Sequence, residues 1–327
     1  MARSYIARFH SIVAQSRCHK SVSVVFEFGD HRHQIVDLQW AGVKRMEGMM
    51  PTIIDLNAEA AKLTASLGLT SPATLAKRKG SMARLGAYRD GILLLGMSAG
   101  TGAGHWEVHA EDELVHILNG TRILEVVCDD GPPRSFELRA GMIAVIPRGA
   151  WHRFHSDDLG TVMSAVLPGD HIDLAVDDPR TVEPGKVTAS GPPNIVDLSA
   201  EAAKLSMFLG LTPQTTRAER KGSVAQLPPY RDGLLLLGKS AGTSHWETHP
   251  EDELVHVLDG TRTLEIVCDD GPPKSFELRA GMIAVVPQGA WHRVHSAGGG
   301  TTFSATLPGE HIDLDVDDPR KVELKPA

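Results

Sequence analysis

The sequence predicts a mostly β protein built from two tandem antiparallel β-barrels, each preceded by a short helix. Two observations carry this expectation: a duplication of domain length, and many short apolar strands separated by turn signals. The duplication is plain to the eye. "HWEVHAEDELVHILNG", from His105 to Gly120, returns as "HWETHPEDELVHVLDG", from His245 to Gly260. Between His105–Ser156 and His245–Ser296, 42 of 52 positions are identical. "IIDLNAEAAKLTASLGLT" from Ile53 likewise matches "IVDLSAEAAKLSMFLGLT" from Ile195. A period this long exceeds any solenoid unit and equals a whole domain.

The expected organisation is an N-terminal extension over residues 1–50, a first domain over 51–190 and a second over 191–327. Residues 1–48 have no counterpart in the repeat and lack the layout of a secretory signal. They read as a disordered arm or as a segment outside the native protein, with translation starting at Met49 or Met50. Between the domains, "VEPGKVTASGPP" from Val182 has the composition of a linker. Asn57 and Ser199 suit helix N-caps, Glu59 and Glu201 a first helical turn, and Gly68 and Gly210 a helix end. Runs such as "GILLLG", "ELVHIL", "RILEVV" and "MIAVIP" then alternate with "NG", "DDGPP" and "RAG". Strands of this length with this punctuation belong to a barrel or sandwich.

Composition excludes several functions. The formal net charge of −8 argues against nucleic acid as a partner. No apolar run is long enough for a membrane helix. The three cysteines, Cys18, Cys128 and Cys268, form no paired framework, which favours reduced thiols and a cytoplasmic location.

Side chains alternate along a strand, so His245, Glu247 and His249 share one face. Glu253 shares a face with Val255 and Val257, which marks that face as interior. In "GAWHRVHS" the ligand candidate His292 lies with Val294, while Trp291, Arg293 and His295 point away. If these interior faces line one barrel, Glu247, His249, Glu253 and His292 converge, and the first copy offers Glu107, His109, Glu113 and His152. Two imidazoles and two carboxylates in an apolar interior are costly to bury unless a divalent cation neutralises them. His116 and His256 fall on the opposite strand face, and His171 and His311 read as solvated loop residues.

At these residues the chain resembles the cupin superfamily, whose first motif is G-x5-H-x-H-x3/4-E-x6-G and second is G-x5-P-x-G-x2-H-x3-N. His249, Glu253 and Gly260 fit the first; Gly281, Pro287, Gly289 and His292 fit the second. In the first copy His109, Glu113 and Gly120, then Gly141, Pro147, Gly149 and His152, fit equally. The resemblance implies a bicupin with two double-stranded β-helix (jelly-roll) barrels. Two departures stand out: Glu107 and Glu247 replace the first histidine of H-x-H, and Ser156 and Ser296 replace the closing asparagine. His105 and His245 lie two residues earlier, about 6.6 Å along a strand. That spacing favours Glu107 and Glu247 as ligands and leaves His105 and His245 to contact substrate as general acid or base, although a β-bulge would exchange the roles.

Imidazole and carboxylate without thiolate suit Fe(II) or Mn(II), with Zn(II) and Ni(II) as alternatives. The resemblance implies a metal-dependent enzyme, oxygenase-like, acting on a small oxygen-chelating organic acid or catechol-like compound. The alternative is a non-catalytic small-molecule-binding or metal-sensing bicupin. The expected partner is a small-molecule substrate, without nucleic acid or membrane, and a homo-oligomer is compatible with the sequence. Phe154 and Ile123 of the first copy become Val294 and Thr263 in the second, which predicts a roomier second pocket that handles the substrate.

Overall fold

The computed structural model describes residues 24–28, 32–36, 50–67, 80–99, 104–128, 131–155, 158–172, 176–182, 191–268 and 271–322. Residues 1–49 form a unit separate from Met50–Ala327. Within that first unit Val24–Phe28 pairs antiparallel with Arg32–Val36. The expectation that the extension is disordered or not native otherwise lies outside the described residues, as does the linker over residues 183–190.

The second unit is two antiparallel barrels, as the strand pattern predicts. In the first, one sheet runs Arg134–Arg139, Thr121–Val126, His152–His155, Trp106–Val108 and Asp170–Ile172. The opposing sheet contains Met142–Ile146, Glu113–Asn119, Gly160–Val166 and Gly91–Ala99. The second barrel repeats the pattern, except that Glu253–Ile266 is one continuous strand serving both sheets. Its first-barrel counterpart breaks at Gly120, and a β-bulge interrupts the second between Val257 and Asp259. Gly120 and Gly260 hold φ of 73° and 77° there, and a Cβ at either would run into the carbonyl of Leu159 or Gly299. Only glycine meets both conditions.

The strand that opens each repeat crosses to the other barrel. Thr52–Asp55 pairs with Met282–Val286, and Asn194–Asp197 pairs with Met142–Ile146. The helices that follow, α1 (Leu56–Ala60) and α2 (Leu198–Lys204), are short. Their N-caps are Asp55 and Asp197, whose carboxylates accept from the N–H of Ala58 and Ala200, and not Asn57 and Ser199. Gly210 does not end α2: it sits in the strand Phe208–Leu211, while Gly68 lies outside the described residues.

Each barrel has its own apolar interior, with Val115, Ile117, Leu124 and Val126 in one and Val255, Val257, Leu264 and Ile266 in the other. The opposite faces of the same strands meet in a shared core that includes Leu93, Leu114, Met163, Leu235, Leu254 and Phe303. Each of these leucines contributes about 1.5–3 kcal/mol by leaving water. The Tyr88 hydroxyl donates to the Ala305 carbonyl at 3.0 Å and that of Tyr230 to the Ala165 carbonyl at 3.1 Å, so each repeat bonds the other. His116 and His256 are buried in this joint with ring centroids 5.1 Å apart.

Candidate metal centre

Glu107 and Glu247 sit on three-residue strands directly opposite His152 and His292. Alternation along those strands turns their carboxylates inward. His109 and His249 follow where the chain leaves the strand, and there the two motifs interlock. The N–H of Gly149 donates to the His109 carbonyl, and that of Gly289 to the His249 carbonyl, both at 2.9 Å. Glu113 and Glu253 open the next strand. A further pair, Gly169 and Gly309, lies beneath the centre. A Cβ at either would meet the preceding Val108 or Thr248 carbonyl and the Nδ1 of His109 or His249. Sequence reading passed over them, although the repeated "LPGDHI" and "LPGEHI" mark their positions.

The predicted side chains come together in both barrels. In the second, His292 Nε2 is 2.8 Å from Glu253 and 3.9 Å from Glu247, while His249 Nε2 is 3.6 Å from Glu253 and 3.8 Å from Glu247. In the first, the matching separations are 2.9, 3.8, 3.6 and 3.9 Å. Donors bound to one ion at ~2.0–2.2 Å lie roughly 3–4 Å from each other, so these spacings suit a single cation. Glu107, His109 and His152, and separately Glu247, His249 and His292, present donor atoms all within 4.8 Å of one another.

The imidazoles add a second observation. Nδ1 of His152 and His292 lies 3.0 and 3.1 Å from the carbonyls of Ala150 and Ala290. With that carbonyl holding the Nδ1 proton, Nε2 is the nitrogen that faces the carboxylates, 2.9 and 2.8 Å from Glu113 and Glu253. Both ring nitrogens of His109 and of His249 are buried with no hydrogen-bond partner. Buried polar atoms seldom go unpaired, and a cation among the carboxylates supplies what Nε2 lacks. The residues present therefore fit a divalent metal.

Electrostatics agree. Burial pushes the Glu107 and Glu247 carboxyls up, but the hydrogen bond from His105 or His245 and the surrounding imidazoles outweigh it and hold both well below the usual carboxylate range. Burial likewise disfavours the charged forms of His152 and His292, yet bonding to Glu113 or Glu253 outweighs it and carries both up to about 9. The cluster holds its negative charge ready.

His105 and His245 stand one step outward, each with Nε2 3.5 Å from Glu107 or Glu247 and partly open to solvent. Their rings lie tilted against those of His171 and His311, centroids 5.3 and 5.0 Å apart, and these two residues belong to short strands paired with the Glu107 and Glu247 strands and not to loops. His155 and His295 face away, bonded to Glu125 and Thr243. Cys128 and Cys268 are buried thiols outside any disulfide, each packed in the apolar interior of its barrel.

The second centre opens on a cavity of about 120 Å³, lined by Glu247, Glu253 and His292 together with Val294, Thr302 and Arg262. Val294 takes part as predicted. Thr263 does not; its buried neighbour Arg262 faces inward instead. In the first barrel Phe154 stands where Val294 does and packs edge-on to His152 at 6.2 Å.

A pair of fused antiparallel barrels, each with an inward His/Glu centre fit for a cation, defines a tandem-barrel metal-binding protein. The family profile for the cupin domain matches residues 93–167 and again 233–306. The chain belongs to the cupins and is a bicupin. Among curated proteins none matches it. Solved structures similar to it include an oxalate decarboxylase of Bacillus subtilis described with Mn(II) centers, at 11% identity over 68% of this chain and 70% of that one, TM-score 0.42. A cupin 2 conserved barrel domain protein from Leptotrichia buccalis is similar at 13% identity over 69% and 88%, TM-score 0.44. The coconut allergen cocosin is similar at 12% identity over 68% and 78%, TM-score 0.44. No helix among the described residues is long and apolar enough to cross a membrane.

Proposed function

We propose that this bicupin is a metal-dependent, oxygenase-like enzyme acting on a small oxygen-chelating organic acid or catechol-like compound, with the second barrel as its reaction chamber. The observation that carries the reading is the second centre itself. Three of its four donors, Glu247, Glu253 and His292, line a cavity, and the fourth, His249, is buried beside them with unpartnered nitrogens. Glu247, His249, Glu253 and His292 would hold the ion, with Fe(II) or Mn(II) favoured over Zn(II) or Ni(II). When bound, the ion would supply Lewis acidity and, if iron, a site for dioxygen.

The protein's own groups do the rest. Ala290 fixes the tautomer of His292, Gly289 fixes the backbone of His249, and the apolar wall of Val255 and Val294 limits water at the centre. His245, partly exposed and within 3.5 Å of Glu247, is placed to hold or pass a proton at its Nε2. The first centre, with Glu107, His109, Glu113 and His152 and with His105 at its rim, is read as a metal site of smaller or structural role.

The test has two steps. Elemental analysis of purified protein should find about two equivalents of a divalent transition metal per chain. The Fe(II)-loaded protein should then consume oxygen with a member of a panel of catechols and α-keto acids. Bound metal with no turnover across the panel would rule out the enzymatic reading and favour the non-catalytic one.

A further inference from the structure

The two barrels differ in how they treat one buried arginine. Arg122 and Arg262 occupy equivalent positions, and each is almost wholly buried, at 2% and 3% exposed. In the first barrel Arg122 has a counter-ion: its Nη1 lies 3.6 Å from the Asp158 carboxylate. It also donates to the carbonyls of Thr121 and Ser98. The residue equivalent to Asp158 in the second barrel is Gly298, within "SAGGGTT" where the first copy reads "SDDLGTV".

Arg262 consequently has neutral partners only. Its Nε donates to the Thr302 hydroxyl at 3.0 Å, Nη1 to the Ser240 carbonyl at 2.8 Å and Nη2 to the Gly300 carbonyl at 2.7 Å. No carboxylate among the described residues comes within ion-pair distance of it. Burial depresses its pKa, Asp259 opposes that from farther off, and neighbouring Arg220 adds a second positive charge. A guanidinium carries five N–H groups, so two stay available on the two terminal nitrogens. A buried cation without its anion is expensive. This one also lines the same cavity as Glu247, Glu253 and His292.

We propose that Arg262 is the carboxylate-recognition residue of the second barrel, gripping a small organic acid that enters the cavity beside the His/Glu centre. The first barrel lacks this capacity because Asp158 already engages its arginine. The inference rests on the reading of the second barrel as the substrate chamber and narrows the substrate class to carboxylates, which a fork of parallel N–H groups matches in geometry as well as charge. The cavity, at about 120 Å³, has room for a small acid beside the centre.

The decisive variant is Gly298→Asp. It restores the internal counter-ion of the first barrel, and a Cβ at Gly298 meets nothing within 4 Å, so the fold accepts it. Arg262→Gln is its companion. Full-length, metal-loaded protein is titrated calorimetrically with acetate, pyruvate, malonate and inorganic phosphate, and metal per chain is measured on the same samples. The expected result is binding of at least one carboxylate by the wild type, weakened about tenfold or more in both variants at unchanged metal content. Arg262→Lys should fall between. Carboxylate binding held within about threefold by Gly298→Asp, phosphate bound as tightly as the carboxylates, or no carboxylate bound by a metal-replete wild type would each overturn the inference. Wild-type protein that takes up no metal at all would instead overturn the functional reading beneath it.

Discussion

The joint between the barrels should be acid-labile, and His116 and His256 set by how much. Both are buried, both keep Nδ1 without a partner, and their cross-strand neighbours are Ile143 and Met163 for one and Ile283 and Phe303 for the other. Burial in this apolar setting drops His116 from 6.5 to about 4; burial and the charge of His116 drop His256 to about 3. Folded-state values below the unfolded one mean that the unfolded chain binds protons first. The stabilising contribution is complete above pH ~6.5 and is lost as pH falls toward the folded values. At pH 5 the loss is governed almost entirely by the unfolded pKa: about 1.5 pH units at 1.36 kcal/mol each, or ~2 kcal/mol per histidine and ~4 kcal/mol for the pair. Urea unfolding of the wild type and of His116→Leu/His256→Leu at pH 7.5 and pH 5 isolates this contribution, because every other titrating group is common to both proteins. The wild type should lose ~4 kcal/mol more than the double variant over that interval. A difference under ~1 kcal/mol would refute the claim that these rings are buried neutral.

Other expectations concern the centres and the links between barrels. Glu247→Gln should lower bound metal from about two equivalents per chain to about one, read by elemental analysis, and Glu107→Gln should do the same from the other barrel. Gly309→Ala drives a methyl into the Thr248 carbonyl and the His249 ring, so it should release the second-barrel metal while the first keeps its own. Asp252 accepts from the N–H of Gln288 and from that of Arg89, on the opposing repeat, at 2.8 Å each. Asp252→Ala leaves both without their acceptor and should cost ~1–3 kcal/mol in thermal or chemical denaturation, with Asp112→Ala doing likewise through Arg148 and Arg231.

Much of this architecture is legible in the chain because its signals are local. The repeat, the alternation within strands and the convergence of Glu247, His249, Glu253 and His292 all follow from spacing. The helix start is a case where two residues compete for one role. Asp55 and Asn57 can both cap, and the tie is broken by Leu56, which is 2% exposed and must be carried inward at the first helical position. The strand exchange was hidden for a different reason. Met142–Ile146 and Met282–Val286 are nearly the same sequence, so the sequence offers either leading strand two equivalent partners. The choice is made by chain path in three dimensions, which no local pattern encodes.

Arg262 is the instructive miss. Alternation counted from Val255 and Val257 keeps odd positions inside and so selects Thr263. The bulge between Val257 and Asp259, with Gly260 at positive φ, shifts the phase by one, and the interior then holds Arg262, Leu264 and Ile266. A single extra residue reverses every later side chain in a strand. Charge reinforces the wrong choice, since a threonine is far cheaper to bury than a guanidinium. The carbonyls of Ser240 and Gly300 make the arginine tolerable, and neither is visible as a partner from sequence. The same shift occurs at Gly120, where Asp158 then quiets Arg122. The two copies thus share the backbone device that turns an arginine inward and differ in the one carboxylate that decides whether its charge stays free for a ligand.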